Sequence, residues 1–389
     1  MEVALYIHIP YCVTKCAYCD FFSTGGNHSG VPERYLSALF AELSFRARQY
    51  AVTAWRTVYV GGGTPSLLSA DQVTRLFAHL AAVAPFLPQA ELTVEANPAD
   101  ITEAFLAALT AAGVTRLSCG VQSFSDTVLQ AVNRRSDAAA VERALTTIER
   151  HWRGELSVDM ISGLPDEDTD GFLRGLGRLC ALRPEHMSLY ALTLEPGTPL
   201  SDAVCSGRRA YDYDAADEQW LSGRDFLTEQ GYTQYEVSNF CLPSGECVHN
   251  MTYWRLESYL GAGAGATGTV FSDDGSGTRW TNTVCLDRYI AFWNDTAAAG
   301  TMRPESLEVL SAQTVSTEFF MMGLRTREGV SRETYRSRFK HDFPADVLHL
   351  FSQWESRGLA CTTVCNGMHR YALTKQGLPF LNRFLTAVL

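Results

Sequence analysis

With 389 residues, 46% of them apolar and 19% charged, the chain can build one large core and a smaller unit, which excludes a disordered polypeptide. Its 43 acidic and 32 basic residues give a net charge of -11, which argues against a general nucleic-acid binder, because neutralising phosphates takes a surplus of Lys and Arg. No run of roughly 18 or more uncharged apolar residues occurs and the N-terminus reads as a strand rather than a secretory signal, so the 11 cysteines predict a cytoplasmic protein whose sulfur serves metals or packing.

The elements begin with a strand over 3–9 and a helix over 32–49, where Leu36, Leu39, Phe40 and Leu43 form one apolar stripe and Pro32 suits the first turn. Further strands are predicted at 57–60, 91–95, 115–121, 156–161 and 187–192. Helices fall between them near 70–84, 101–112, 137–151 and 169–182, with Gly113 as a helix stop. Six βα units predict an α/β fold, its parallel sheet either doubly wound or curled into a partial (β/α)6 TIM-like barrel. A helix at 212–230 is followed by a less regular stretch, rich in aromatics and glycine, to about 282. From about 311 come consecutive helices, two short strands about an Asn366-Gly367 turn and a last helix, a winged-helix-like pattern. Residues 301–389 hold 11 Lys and Arg against 8 Asp and Glu, leaving 21 against 35 elsewhere, so an anionic partner would favour this end; the acidic body argues against DNA. The expected organisation is a barrel over 1–235, a connecting region over 236–300 and a C-terminal helical unit over 301–389.

Chemistry concentrates behind the first strand. Tyr6-Ile7-His8-Ile9-Pro10-Tyr11 leads into Cys12, Cys16 and Cys19, spaced by three and then two residues. Thiolates so placed can hold three corners of an iron-sulfur cubane and leave one iron open to bind a small molecule. The competing reading, structural zinc, would need a fourth ligand such as His8 or a distant cysteine. After the second strand comes VYVGGGTPSLL, with Gly61, Gly62, Gly63, Thr64 and Pro65; glycines here allow close backbone approach and free carbonyls to accept from an ammonium. Glu95, Gln122, Asp159 and Tyr190-Ala191 end later strands, and polar residues at the carboxyl ends of parallel strands converge on one face.

The CxxxCxxC loop with Tyr18 before its last cysteine, joined to the glycine motif, resembles the radical S-adenosylmethionine (SAM) superfamily, and the whole chain resembles its HemN/HemW group. The resemblance implies a radical SAM partial barrel with a winged-helix-type C-terminal domain. It also implies a [4Fe-4S] cluster on Cys12, Cys16 and Cys19, with SAM held by Tyr6, Tyr18, Gly62, Gly63, Thr64, Glu95, Gln122, Arg134, Asp159 and Ala191. Two departures from the oxidase type favour the HemW type, understood as a heme chaperone: the chain begins at the first strand, and Phe21 stands where the oxidase type has a fourth cysteine. The HNxxYW motif, with His249, Asn250, Tyr253 and Trp254, points the same way, being linked to heme binding in that group. An imidazole can ligate heme iron and aromatics offer a flat apolar surface, but a histidine among aromatics also fits a packed, hydrogen-bonded role. Thr267 stands where the group commonly has a histidine, and SGLPDEDTD lacks the usual Gly-Gln-Thr. The partners implied are heme or porphyrin and acceptor hemoproteins, with delivery at the membrane surface and no nucleic acid. Two alternatives remain: an oxygen-independent coproporphyrinogen III oxidase, in which SAM-derived radicals drive propionate decarboxylation, and a cluster-dependent nucleic-acid modifier. The other cysteines, including Cys119, Cys241, Cys247, Cys361 and Cys365, read as core or incidental thiols, although Cys241 and Cys247 flank the HNxxYW motif.

Overall fold

Alternation of side-chain character builds the first six long strands: Glu2–Ile9 (β1), Ala54–Gly62 (β2), Phe86–Ala96 (β3), Arg116–Gln122 (β4), Glu155–Ser162 (β5) and His186–Ala191 (β6). One set of residues is apolar and packs into the main core: Val3, Leu5 and Ile7 on β1, Val58 and Val60 on β2, Leu92 and Val94 on β3, Leu117 and Val121 on β4. The intervening set is polar and still buried, including Thr57, Glu91, Thr93, Arg116, Ser118, Ser157, His186 and Ser188. Successive side chains of a strand leave by opposite faces. One face of the sheet therefore packs on helices, while the other forms the polar inner face of a partial barrel.

The computed structural model describes residues 1–26, 30–295, 303–365 and 367–388, and no side-chain detail at Cys365 or Val388. β1 to β6 pair in parallel and in sequence, with Tyr6 beside Tyr59, Thr57 beside Glu91, Glu95 beside Ser118 and Asp159 beside Ser188. That register gathers the polar residues into rows across the inner face. The crossover helices Glu33–Gln49, Ala70–Val83, Glu103–Ala111, Ala138–His151 and Thr169–Cys180 stand where the periodicity predicts them. Ser69, Thr102, Asp137 and Asp168 each accept a backbone N–H at a helix start, worth about 1 kcal/mol apiece.

The stretch that reads as irregular in the sequence is where the structure departs from expectation. Tyr259–Ala262 pairs in parallel with β1, and Thr267–Phe271, Gly277–Asn282 and Glu305–Leu310 follow antiparallel. On the far side Asn239–Cys241 joins β6 antiparallel, so the sheet counts 12 strands among the described residues. Close approach hides these strands from pattern reading. A Cβ on Gly261 would lie 2.1 Å from the Thr267 carbonyl oxygen, so glycine replaces the apolar residue that alternation would show.

The helix Tyr213–Glu229 packs on β6, with Leu227 in the main core and Trp220 Nε1 donating to the Leu189 carbonyl; beyond the sheet come the helices Ala312–Gly323, Arg332–Phe339 and Ala345–Glu355, then the strands Ala360–Cys365 and Met368–Leu373 and a final helix, Leu381–Val388. A second core of Phe319, Phe320, Tyr335, Phe351, Trp354 and Phe384 holds this C-terminal unit. It also takes in Leu256 and Leu310, from the connecting region and the last sheet strand. The α/β fold class and the helical C-terminal unit are as expected. Asn366 of the expected turn and the boundary at 300/301 lie outside the described residues.

Candidate cofactor-binding site

The cysteine loop is pinned by backbone rather than by disulfides. Ala17 N donates to Val132 O at 2.9 Å, Leu200 N to Ala17 O at 2.9 Å and Thr24 N to Pro10 O at 2.8 Å. Cys12, buried, and Cys16 and Cys19, half-buried, are free thiols. Cys12 Sγ accepts from Thr64 Oγ1 at 3.4 Å and Cys16 Sγ from Arg134 Nη1 at 3.6 Å. Among the described residues no three His, Cys, Asp or Glu side chains converge closely enough for a single ion. His8 is no spare zinc ligand either. Its Nε2 donates to the Phe22 carbonyl at 2.8 Å, which leaves Nδ1 to accept from Tyr6 Oη at 2.9 Å.

These thiols open on a cavity of about 510 Å³ at the carboxyl ends of the strands. Its wall holds Tyr18 from the loop; Gly62 at the end of β2, with Gly63 and Thr64 just after it; Glu95 from β3; Gln122 from β4; Asp159 from β5; Ala191 from β6; and Arg134 from the turn after the short helix Asp126–Ala131. Of the residues expected around SAM, Tyr6 alone does not line the cavity, its hydroxyl being spent on His8.

Glu95 accepts from Tyr59 Oη at 2.8 Å and from Gly62 N at 3.2 Å. Burial, with the Asp159 charge nearby, still pushes its carboxyl up to about 7. Asp159 accepts from Ser118 Oγ at 3.5 Å, and burial raises it to about 6. A register shift in β4 between Gly120 and Gln122 aims Gln122 into the cavity from a left-handed backbone, φ 70°. Gln122 Oε1 finds no partner among the described residues. The Arg134 guanidinium reaches the Gly120 carbonyl, Tyr18 Oη at 3.4 Å and Cys16, and its buried Nε likewise has no partner among the described residues. Glycines make this approach feasible: a Cβ on Gly120 would lie 2.9 Å from Arg134 Nη2, and one on Gly63 2.9 Å from the Ile9 and Tyr11 carbonyl oxygens. Sequence reading missed Tyr59, Ser118 and Ser188; the signal was available, since each sits an even number of residues from a predicted site residue or polar neighbour on its own strand.

The HNxxYW segment lies elsewhere. It forms the helix Val248–Trp254, whose first backbone N–H groups, on Val248 and His249, donate to Glu91 at 3.0 and 2.9 Å. His249 is 1% exposed, with Nδ1 2.7 Å from Thr57 Oγ1 and Nε2 2.7 Å from Tyr253 Oη. Burial, with the Arg56 charge nearby, holds it down at about 3, so the ring is neutral. Thr57 precedes the cavity-lining Gly62 by five residues and Glu91 precedes the cavity-lining Glu95 by four, so this helix closes the barrel on the side away from the cysteine loop. Asn250 and Trp254 are half-buried, Trp254 packing beside Tyr235, Cys241 and Met251. Cys119, Cys241 and Cys247 are buried thiols, as expected of core cysteines.

The radical SAM superfamily model matches residues 6–174. The heme chaperone HemW of Mycobacterium tuberculosis strain H37Rv is 35% identical over 84% of this chain and 82% of its own. That of Bacillus subtilis strain 168 is 31% identical over 99% of this chain and 98% of its own. The chain belongs to the HemN/HemW group of the radical SAM superfamily. A third relative, the bovine mitochondrial radical S-adenosyl methionine domain-containing protein 1, is 37% identical over 86% of this chain and 76% of its own. The structure titled coproporphyrinogen III oxidase (HemN) from Escherichia coli superposes with a TM-score of 0.82 over 100% of this chain and 90% of that one, at 22% identity, and so shares the fold.

Membership of the radical SAM group implies a [4Fe-4S] cluster and SAM, and the residues fit both. Three reduced thiols share one loop, two of them already accepting hydrogen bonds. On the same wall Gln122 Oε1 and Arg134 Nε are polar atoms without a protein partner among the described residues, a costly state unless a ligand completes them.

Proposed function

We propose that this HemW-like radical SAM protein is a heme chaperone, which binds heme and passes it to acceptor hemoproteins, and which carries a [4Fe-4S] cluster on Cys12, Cys16 and Cys19 with SAM beside it. The observation that carries the reading is the set of relatives named heme chaperone HemW, matched over most of both chains. Phe21, 70% exposed at the cavity edge where the oxidase type has a thiol, supports it.

When bound, the cluster supplies one iron open to SAM and an electron for its cleavage. The chain's own residues prepare the place. Thr64 Oγ1 and Arg134 Nη1 donate to two of the thiols and so hold the sulfur atoms in place at the cavity wall. Glu95, Asp159 and Gln122 Oε1 offer acceptors for ribose hydroxyls and an ammonium, while Arg134 offers a cation for a carboxylate. Heme binding is assigned to the protein as a whole and not to the HNxxYW histidine, whose nitrogens are both engaged.

The test is a titration of anaerobically reconstituted protein with heme, followed at the Soret band, and then transfer to an apo-hemoprotein. Saturable heme binding with transfer supports the proposal. Conversion of coproporphyrinogen to protoporphyrinogen by the reduced, SAM-loaded protein, without saturable heme binding, would establish the oxidase reading in its place.

A further inference from the structure

The motif that sequence reading ties to heme is built into the support of the cavity wall. Thr57, Tyr59 and Gly61 are alternate residues of β2 and face the barrel interior together. His249 bonds to the first of them, through Thr57 Oγ1 at 2.7 Å, and its ring stacks on the second, with centroids 5.2 Å apart and planes 27° apart. Tyr59 in turn donates its hydroxyl to Glu95 Oε1 at 2.8 Å. The third position, Gly61, is free of a side chain because a Cβ there would lie 2.9 Å from that same Glu95 oxygen. A continuous stack therefore runs from the closed end of the barrel to the cavity wall.

The other side of the imidazole is equally committed. Nε2 is 2.7 Å from Tyr253 Oη, and the Tyr253 ring meets it edge-on at 5.0 Å while also packing on Tyr259 at 4.7 Å. Glu91 clamps the helix start through Val248 N, His249 N and the Cys247 thiol. His249 lines neither the cofactor cavity nor the cleft beside Glu167. Iron could reach a ring nitrogen only after one buried hydrogen bond broke and the helix moved.

We infer that His249 is a positioning residue for the SAM site and not a heme ligand: with Tyr253 behind it, its ring fixes the Tyr59 ring, and the Tyr59 hydroxyl fixes the Glu95 carboxylate. The inference rests on the reading above that Glu95 contacts SAM. Without the ring, Tyr59 settles into the vacated space and its hydrogen bond to Glu95 lengthens. The loss expected is that of one hydrogen bond to a charged group, about tenfold or more in SAM affinity.

The experiment uses the full-length, anaerobically reconstituted protein and measures two dissociation constants per variant, SAM by equilibrium dialysis and heme by Soret titration. His249→Ala should weaken SAM about tenfold and leave heme within twofold of the parent. Tyr59→Phe, which removes only a hydroxyl and keeps the packing, should reproduce the SAM loss even if His249→Ala folds poorly. His249→Phe, which restores a ring under Tyr59 but cannot ligate iron, should recover most of the SAM affinity relative to His249→Ala. Glu95→Gln separates the two levels of the argument. If it weakens SAM while Tyr59→Phe and His249→Ala do not, the positioning role is wrong and the Glu95 reading stands. If it leaves SAM affinity unchanged, both are wrong. Loss of the heme Soret shift in both His249→Ala and His249→Phe, with SAM affinity intact, would make His249 the heme ligand and overturn the inference.

Discussion

The closed end of the barrel depends on one buried ion pair, and Arg116→Met is the perturbation that exposes it. Arg116 and Glu91 have side chains 2% and 6% exposed, with Nε and Oε2 3.1 Å apart. The same guanidinium also pairs with the 42%-exposed Glu155 at 2.5 Å and donates to the carbonyls of Gly245 and Glu246 at 3.3 and 3.1 Å, while Glu91, the buried carboxylate, receives the backbone of Val248 and His249. Removing one partner of a buried pair costs about 3–5 kcal/mol, because the other is left as an uncompensated charge. Glu91 keeps its donors from the helix start, so the lower end, about 3 kcal/mol, is expected. For a chain of this length the urea slope is about 3 kcal/mol/M or more, so the unfolding midpoint followed by tryptophan fluorescence should fall by about 1 M or somewhat less. Adding Glu91→Gln removes the stranded charge, so the double variant should be less destabilised than the sum of the two singles by about 1 kcal/mol or more. A loss below about 1 kcal/mol for Arg116→Met, or strict additivity in the double variant, would refute the claim that this pair closes the barrel.

Three further outcomes follow from the cavity. Burial pushes Glu95 up to about 7 and Asp159 up to about 6, both above their unfolded values, so each holds its proton in the folded state after the unfolded chain has lost it. Their contribution is greatest below the unfolded carboxyl range of about 4 and is lost as pH rises to about 7; urea midpoints of cofactor-free Glu95→Gln should therefore decline less over that interval than those of the parent. Gln122 occupies φ 70°, so Gln122→Gly should raise stability by about 1 kcal/mol while weakening SAM binding in dialysis; a variant that loses stability would show that the strain is compensated. Gly62 has φ 113°, and a Cβ there would lie 2.6 Å from the His8 ring, so Gly62→Ala should lower thermal stability and SAM affinity together; unchanged affinity would place SAM elsewhere.

The barrel strands were legible because β1 to β6 combine an apolar alternate set with polar residues at their carboxyl ends, and the helices between them carry clear stripes and caps. The same logic found the cavity wall through Glu95, Gln122 and Asp159. Tyr59 escaped notice because an aromatic on a buried strand reads as packing, although its even spacing from Thr57 and Gly61 put it on the inner face; its 2.8 Å bond to Glu95 shows its part. The strands around Gly261 and Gly268 were illegible for a steric reason, since Cβ atoms there would meet backbone at 2.1 and 2.6 Å and glycine erases the alternation. Motif reading linked His249 to heme, yet no pattern in the sequence could tell that Thr57, 192 residues earlier, and Tyr253 occupy its two nitrogens.

The central claim is that the loop of Cys12, Cys16 and Cys19 holds a [4Fe-4S] cluster beside a SAM cavity. Anaerobic reconstitution with iron and sulfide, with metal counted per chain and the visible charge-transfer band followed in parallel with Cys16→Ala, tests it most directly. About four irons per chain and a band that SAM perturbs, both lost in Cys16→Ala, are the expected result. One zinc per chain, or iron that survives the substitution, would contradict it.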